Sequence, residues 1–168
     1  EIARAGPMLE RLVRDAEHAG DELGRCTPYF YLCQIEWRAG DWSTALRYAE
    51  EAYEIILQAE RTGELGAKLY NRALIYAHLG LIREARHTAR ESLDAAERMG
   101  SGFAVQRALG VLGFIELSEG HLEEARLAYD RASAEFMATG VGEPGVARWV
   151  PDHIETLAAL GDQAGAGP

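Results

Sequence analysis

Gly40-Asp41-Trp42-Ser43-Thr44-Ala45 is the stretch whose reading decides the fold. It returns as Gly80-Leu81-Ile82-Arg83-Glu84-Ala85, as Gly120-His121-Leu122-Glu123-Glu124-Ala125 and as Gly161-Asp162-Gln163-Ala164-Gly165-Ala166. The leading glycines stand 40, 40 and 41 residues apart. A fixed period of that size marks a stack of like units. Glycine tolerates φ > 0 and can end a helix, and Asp41 after it can accept a backbone N–H of the next one. Each copy therefore predicts helix, tight turn, helix. The Ala five residues after each Gly is small, so the two helix axes can come close near the turn.

Working outward, apolar residues recur at spacings of 3 and 4 on both sides of each copy. Met8, Leu9, Leu12, Val13 and Ala16 predict a helix over 8–19, with Pro7 in its first turn and Gly20 as its stop. Thr27-Pro28 predicts a cap and a start for a helix running to Ala39. The next helix follows Asp41 to about Glu60, and Thr62-Gly63 stops the chain again. Helices are predicted over Glu64–His78, Ile82–Met99, Phe103–Glu119 and Leu122–Ala138. Gly110 and Gly113 lie inside one of them, at about 1 kcal/mol each relative to Ala, so close helix approach is expected there. Thr139 to Gly145 reads as a Gly-rich loop. Pro144 can open a last helix, but Pro151 forces a kink or restart near Val150, followed by Asp152–Leu160. No segment alternates with period 2, so no sheet is expected.

The fold expected is all-α: a right-handed superhelix, or solenoid, of antiparallel helix pairs with about eight helices. Residues 1–168 form one helical-repeat domain. Residues 1–20 are the orphan second helix of a preceding repeat; 27–60, 64–99 and 102–138 are three full repeats; 144–168 are part of a fourth. The first helices should line a concave wall and the second helices the outer one. The chain lacks an initiator Met and ends soon after its fourth turn, so it is expected to be a fragment of a larger multidomain regulator.

This grammar resembles tetratricopeptide repeats, which carry G-[DN]-x-x-x-A between helices and a second Ala seven residues later. Ala52 and Ala132 match that second position, and Ser92 departs from it. Gly113 matches the family's first-helix Gly, where Cys33 and Ala73 replace it. The family's terminal Pro is absent, and the period of 40 exceeds the usual 34. A narrower resemblance covers nearly the whole chain. Leu9–Ala16 followed by Gly20-Asp21, Arg107–Gly120 and Val150–Gly161, with Pro151-Asp152-x-x-Glu155, look like the sensor region of large ATP-binding, MalT-like regulators of the LuxR family. That resemblance implies a STAND-type ATPase before the repeats, a helix-turn-helix after them, a bacterial cytoplasmic setting and an inducer or partner sensed by the repeats.

Composition bounds the chemistry. A net charge of −10 excludes direct nucleic-acid binding by this segment, because phosphate contacts need a basic surface. No apolar run spans a bilayer. Cys26 and Cys33, seven apart, form neither a C-x-x-C nor a disulfide framework and read as buried thiols of a cytoplasmic protein. Lys68 in Gly66-Ala67-Lys68-Leu69 lacks P-loop spacing. His18, His78, His87, His121 and His153 form no metal-binding spacing. Ser43, Ser92, Ser101, Ser118 and Ser133 lack a nucleophile-elbow context. Asp152 and Glu155 share a helix start and are either carboxylates at a positive helix end or a catalytic pair. The segment is expected to be no enzyme and to hold no cofactor and no metal.

Aromatics and arginines make the candidate site. Projecting the first helices inward puts Phe30, Gln34, Trp37 and Arg38 on the concave wall. Tyr70, Leu74 and His78 join them from the second unit, Arg107, Phe114 and Ser118 from the third, and Arg148 and Glu155 from the fourth. Such residues suit capture of a protein or small-molecule effector, or they fill the core between repeats. Trp42 and Trp149 read as core or edge packing. Flanking domains of the same chain are further expected partners, and the exposed ends of a cut stack favour self-association. The alternative is a stand-alone protein-interaction scaffold.

Overall fold

In the computed structural model, which describes residues 2–59, 65–140 and 146–161, the chain turns back on itself where the glycines place it. Gly40 takes φ 83°, in the left-handed region. The N–H of Asp41 then bonds back to the Glu36 carbonyl at 3.0 Å. This six-to-one bond satisfies a carbonyl that the helix end leaves open. The same bond joins Leu81 to Tyr76 and His121 to Glu116, both at 2.9 Å. The second helices end in the same way: Asp21 bonds to Ala16 at 2.9 Å and Ser101 to Ala96 at 3.1 Å, after Gly20 and Gly100 at φ 68° and 64°. The repeat of 40 is thus two half-repeats of about 20, each closed by the same device.

The turns separate α1 (Ile2–Ala19), α2 (Cys26–Ala39), α3 (Trp42–Gln58), α4 (Leu65–His78), α5 (Ile82–Arg98), α6 (Gly102–Ser118), α7 (Leu122–Ala138) and α8 (Val150–Ala159). No strand occurs among the described residues. Asp41 caps α3 by accepting the Thr44 N–H at 3.1 Å, and that bond holds the Asp41 carboxyl below its ordinary range. Ser101 caps α6 through the Ala104 N–H.

Two expected starts differ. Helix α1 already runs from Ile2, so Pro7 lies inside it and not in its first turn. A 3-10 turn over Leu23–Arg25 feeds α2, which begins at Cys26 without a side-chain cap; Thr27 is already helical and caps nothing. The restart predicted at Val150 is the observed start of α8, with Pro151 in its first turn, where a missing N–H breaks no helix bond. The Thr62-Gly63 stop, Pro144 and the second helix of the fourth repeat fall outside the described residues.

Helices α2 and α3, α4 and α5, and α6 and α7 form the most extensively packed pairs. Ala45, Ala85 and Ala125, five residues past their turns, are fully buried. Ser92, the departure from the Ala pattern, donates its hydroxyl to the Gly66 carbonyl at 2.7 Å, which satisfies a polar group buried in the pair. One period earlier the Cys26 thiol meets the Ala52 carbonyl in the same register. The first helices also touch one another: α2 with α4, α4 with α6 and α6 with α8. That closer spacing places them on the inner wall of the stack. Helix α1 packs on α2, and no described helix is long and apolar enough to cross a membrane.

The interior glycines mark close approach. A Cβ on Gly113 would sit 2.5 Å from the Tyr129 ring, and one on Gly110 would sit 2.8 Å from Trp149. Tyr129 is fully buried and cannot swing away. Overpacking costs about 1–3 kcal/mol, against the roughly 1 kcal/mol by which Ala favours a helix over Gly. Gly113→Ala should therefore lower the urea midpoint. Gly6→Ala, in α1 with nothing within 4 Å of the added atom, should leave it unchanged or raise it. Burial pushes the Cys33 thiol up to about 12. At pH 8 only about one molecule in 10,000 carries the thiolate there, so Cys33 should resist thiol reagents in the native protein and react once urea unfolds it.

Candidate ligand-binding cavity on the inner wall

Helical spacing builds the site. Tyr70, Leu74 and His78 lie four apart and form one stripe on α4. Arg107, Gly110, Val111 and Phe114 form another on α6 at spacings of 3, 1 and 3. With Trp37 at the end of α2 they surround a cavity of about 230 Å³. Val146, Arg148 and Trp149, in the segment before α8, and Asp152 in its first turn complete the lining.

His78 organises the aromatic side. Its ring stacks on Phe114 with centres 4.8 Å apart and meets the edges of Trp37 and Trp42 at 5.4 Å. Its Nδ1 lies 2.9 Å from the Leu74 carbonyl, which only accepts, so that nitrogen carries the proton. Its Nε2 accepts from the Trp37 Nε1–H at 3.2 Å. The two bonds together select the neutral ring with its proton on Nδ1.

Behind this wall runs a chain of amides. The Arg148 Nη1 donates to Gln34 Oε1 at 2.7 Å. Gln34 Nε2 donates to Asn71 Oδ1 at 2.6 Å, and Asn71 Nδ2 donates to the Phe30 carbonyl at 3.3 Å. The Trp149 Nε1–H donates to Gln106 Oε1 at 2.7 Å. Arg148 also lies over the Trp37 ring, 5.5 Å from its centre. The 146–149 segment thus reaches across the concave face and fastens to α2.

Two cations lie against Phe30 beside the cavity. The Arg107 guanidinium is ringed by Phe103, Tyr70 and Phe30 at 4.7, 5.1 and 5.9 Å. Its Nε is buried without a hydrogen-bond partner, and among the described residues no carboxylate pairs with it. Lys68, itself buried, holds its Nζ 5.0 Å from the centre of the Phe30 ring. Burial raises the Asp152 carboxyl above its ordinary range, and Glu155 adds to that rise.

Seven of the twelve groove residues expected from sequence meet at this cavity: Trp37, Tyr70, Leu74, His78, Arg107, Phe114 and Arg148. Phe30 lies beside it, in contact with the two cations. Gln34 is buried, because its amide is spent on Asn71 and Arg148. Arg38 is exposed and bonds back to the Gln34 carbonyl. Glu155 is exposed and Asp152 turns inward, since three helical positions differ by about 60° around the axis. Ser118 is exposed and bonds to the Phe114 carbonyl. Trp149, read as packing, is 7% exposed and also walls the cavity; Gly110 makes room for its ring. Trp42 is an edge contact of His78.

A second polar cluster lies outside the cavity. Glu116, Glu119 and His121 hold ligand atoms within 4.8 Å of one another, a grouping that no short motif announces. Arg86 of α5 bonds to both carboxylates, and His121 Nδ1 lies 3.0 Å from Glu116. The acids are therefore neutralised by an arginine that ties α5 to the end of α6.

No family model matches the chain, and no curated protein matches it. Among solved structures it is similar to BtubC (BKLC) from P. vanneervenii. The TM-score is 0.74 at 18% identity, over 98% of this chain and 68% of that one. At that identity the likeness shows the helical-repeat fold.

Gln34→Leu should strand the Asn71 amide and release Arg148, at a cost of about 1–3 kcal/mol for the unpaired buried group. Gln34→Leu with Asn71→Leu removes both partners and should recover part of that loss, read by urea denaturation of the two variants side by side.

Proposed function

We propose that this chain is a non-catalytic, cofactor-free binding domain of a transcriptional regulator, which captures an effector in the inner-wall cavity. The observation that carries the capture is the convergence of five aromatic rings, two arginines and one inward carboxylate from four separate elements on one cavity. Binding sites are concave, mostly apolar and furnished with a few placed polar groups. The strap at 146–149 shortens the open groove, which favours a compact effector over an extended peptide. An effector that prefers one arrangement of the strap shifts the balance between two states of the whole protein by its difference in affinity. The regulator setting is supported by the repeat grammar and by Pro151-Asp152-x-x-Glu155, whose Asp152 enters the cavity.

A scaffold reading has its own support. Met8, Leu12 and Tyr31 are 66%, 45% and 53% exposed along the α1 and α2 edge, and exposed apolar patches of this kind mark docking sites for protein. Reading the gene on both sides of the repeats separates the two. A P-loop ATPase before them and a helix-turn-helix after them are expected. A frame that encodes neither overturns the regulator reading and leaves the scaffold.

A further inference from the structure

Building on capture in the inner-wall cavity, we propose that the ligand is a small organic carboxylate with a flat apolar body. Its carboxylate is held by Arg107, and its body lies between Trp37, Phe114 and Trp149.

Arg107 is the reason for the charge. An arginine on the surface of an acidic protein finds an acidic neighbour with ease, as Arg86, Arg126 and Arg131 do here. Arg107 instead turns into a cavity, buries its Nε without a partner and leans on three rings. Ring faces offset part of the cost of removing a guanidinium from water, and they hold its plane fixed. Arg107 lines the cavity with the donors of its fork unpaired among the described residues. That is the geometry a carboxylate meets with two parallel hydrogen bonds.

Among the described lining residues Asp152 is the one carboxylate, and it does not pair with Arg107, while His78 is held neutral by Leu74 and Trp37. Lys68 adds a second cation against the Phe30 ring. Two cations, Arg107 and Lys68, thus flank Phe30 in a chain of net charge −10. Burial and Glu155 raise the Asp152 carboxyl above its ordinary range, toward the form that repels an incoming anion less. Size sets the rest. A volume of about 230 Å³ falls below the range of sites for drug-sized ligands, so one ring system with a short acidic arm fills it. The strap fastened by Arg148 to Gln34 closes the route an extended chain would take.

Isothermal titration calorimetry with three near-isosteric probes tests this: indole-3-acetate, indole-3-acetamide and tryptamine. The carboxylate should bind at least about tenfold more tightly than the amide or the amine, as expected for a hydrogen bond to a charged group. Arg107→Gln should erase that preference, and Arg107→Lys, which keeps the charge but not the fork, should keep part of it. Circular dichroism of both variants checks that the helices remain. Equal or tighter binding of the amide or of tryptamine, unchanged preference in Arg107→Gln, or no binding by any of the three overturns the carboxylate assignment. Tighter binding of the tripeptide Gly-Gly-Trp than of indole-3-acetate moves the source to a protein C-terminus and overturns the small-molecule assignment. Binding of the neutral amide would leave effector capture standing, and the flanking-domain test is independent of every outcome here.

Discussion

The hydrogen bond from the Asp41 N–H to the Glu36 carbonyl forms only because Gly40 accepts a positive φ. Any residue with a Cβ would be strained there. The bond stops α2 within one residue and points the chain back along it. The next helix then runs antiparallel, close enough for a buried Ala at its first turn. The same constraint acts again at Gly20, Gly80, Gly100 and Gly120. Every later feature follows from where these turns fall: which stripe of each helix faces its neighbour, which helices touch along the inner wall, and where the cavity opens.

Much of this was legible. Glycine and the small residue five positions on are local signals, and they state their own geometry. Helical stripes such as Tyr70, Leu74 and His78 project to one face whatever lies opposite, so their meeting with Arg107 and Phe114 could be read from period alone. Two kinds of information were not local. Gln34 sits on the expected face, yet it is buried, because its amide is engaged by Asn71 one repeat later and by Arg148 from the far end of the chain. The strap itself is irregular backbone. No periodicity marks 146–149, and only the later packing of Trp149 on Gly110 shows why a glycine stands in the middle of α6. The halving of the period from 40 to 20 was also missed, because the second helices end with glycines that no following Ala accompanies.

The polar groups divide by what they hold. Arg86 with Glu116 and Glu119 links neighbouring helices, and Arg131 with Glu97 does the same for α7 and α5. Such partly exposed pairs set register more than stability. The amides at Gln34, Asn71 and Gln106 recur near the inner wall at intervals of 37 and 35 residues, one on each of three first helices. The Gln34–Asn71 bond demands one separation of α2 and α4, while Gln106 on α6 accepts from Trp149 and leaves its Nε2 without a partner among the described residues. The cavity inherits its shape from that demand.

One bond has a wider meaning. In an open stack each unit feels only its neighbours, and disturbance at one end reaches the other by passing through every unit between. Arg148 and Gln34 are 114 residues apart and yet share a hydrogen bond. That contact turns a line into a closed circuit. Fraying at α8 is felt at α2 directly.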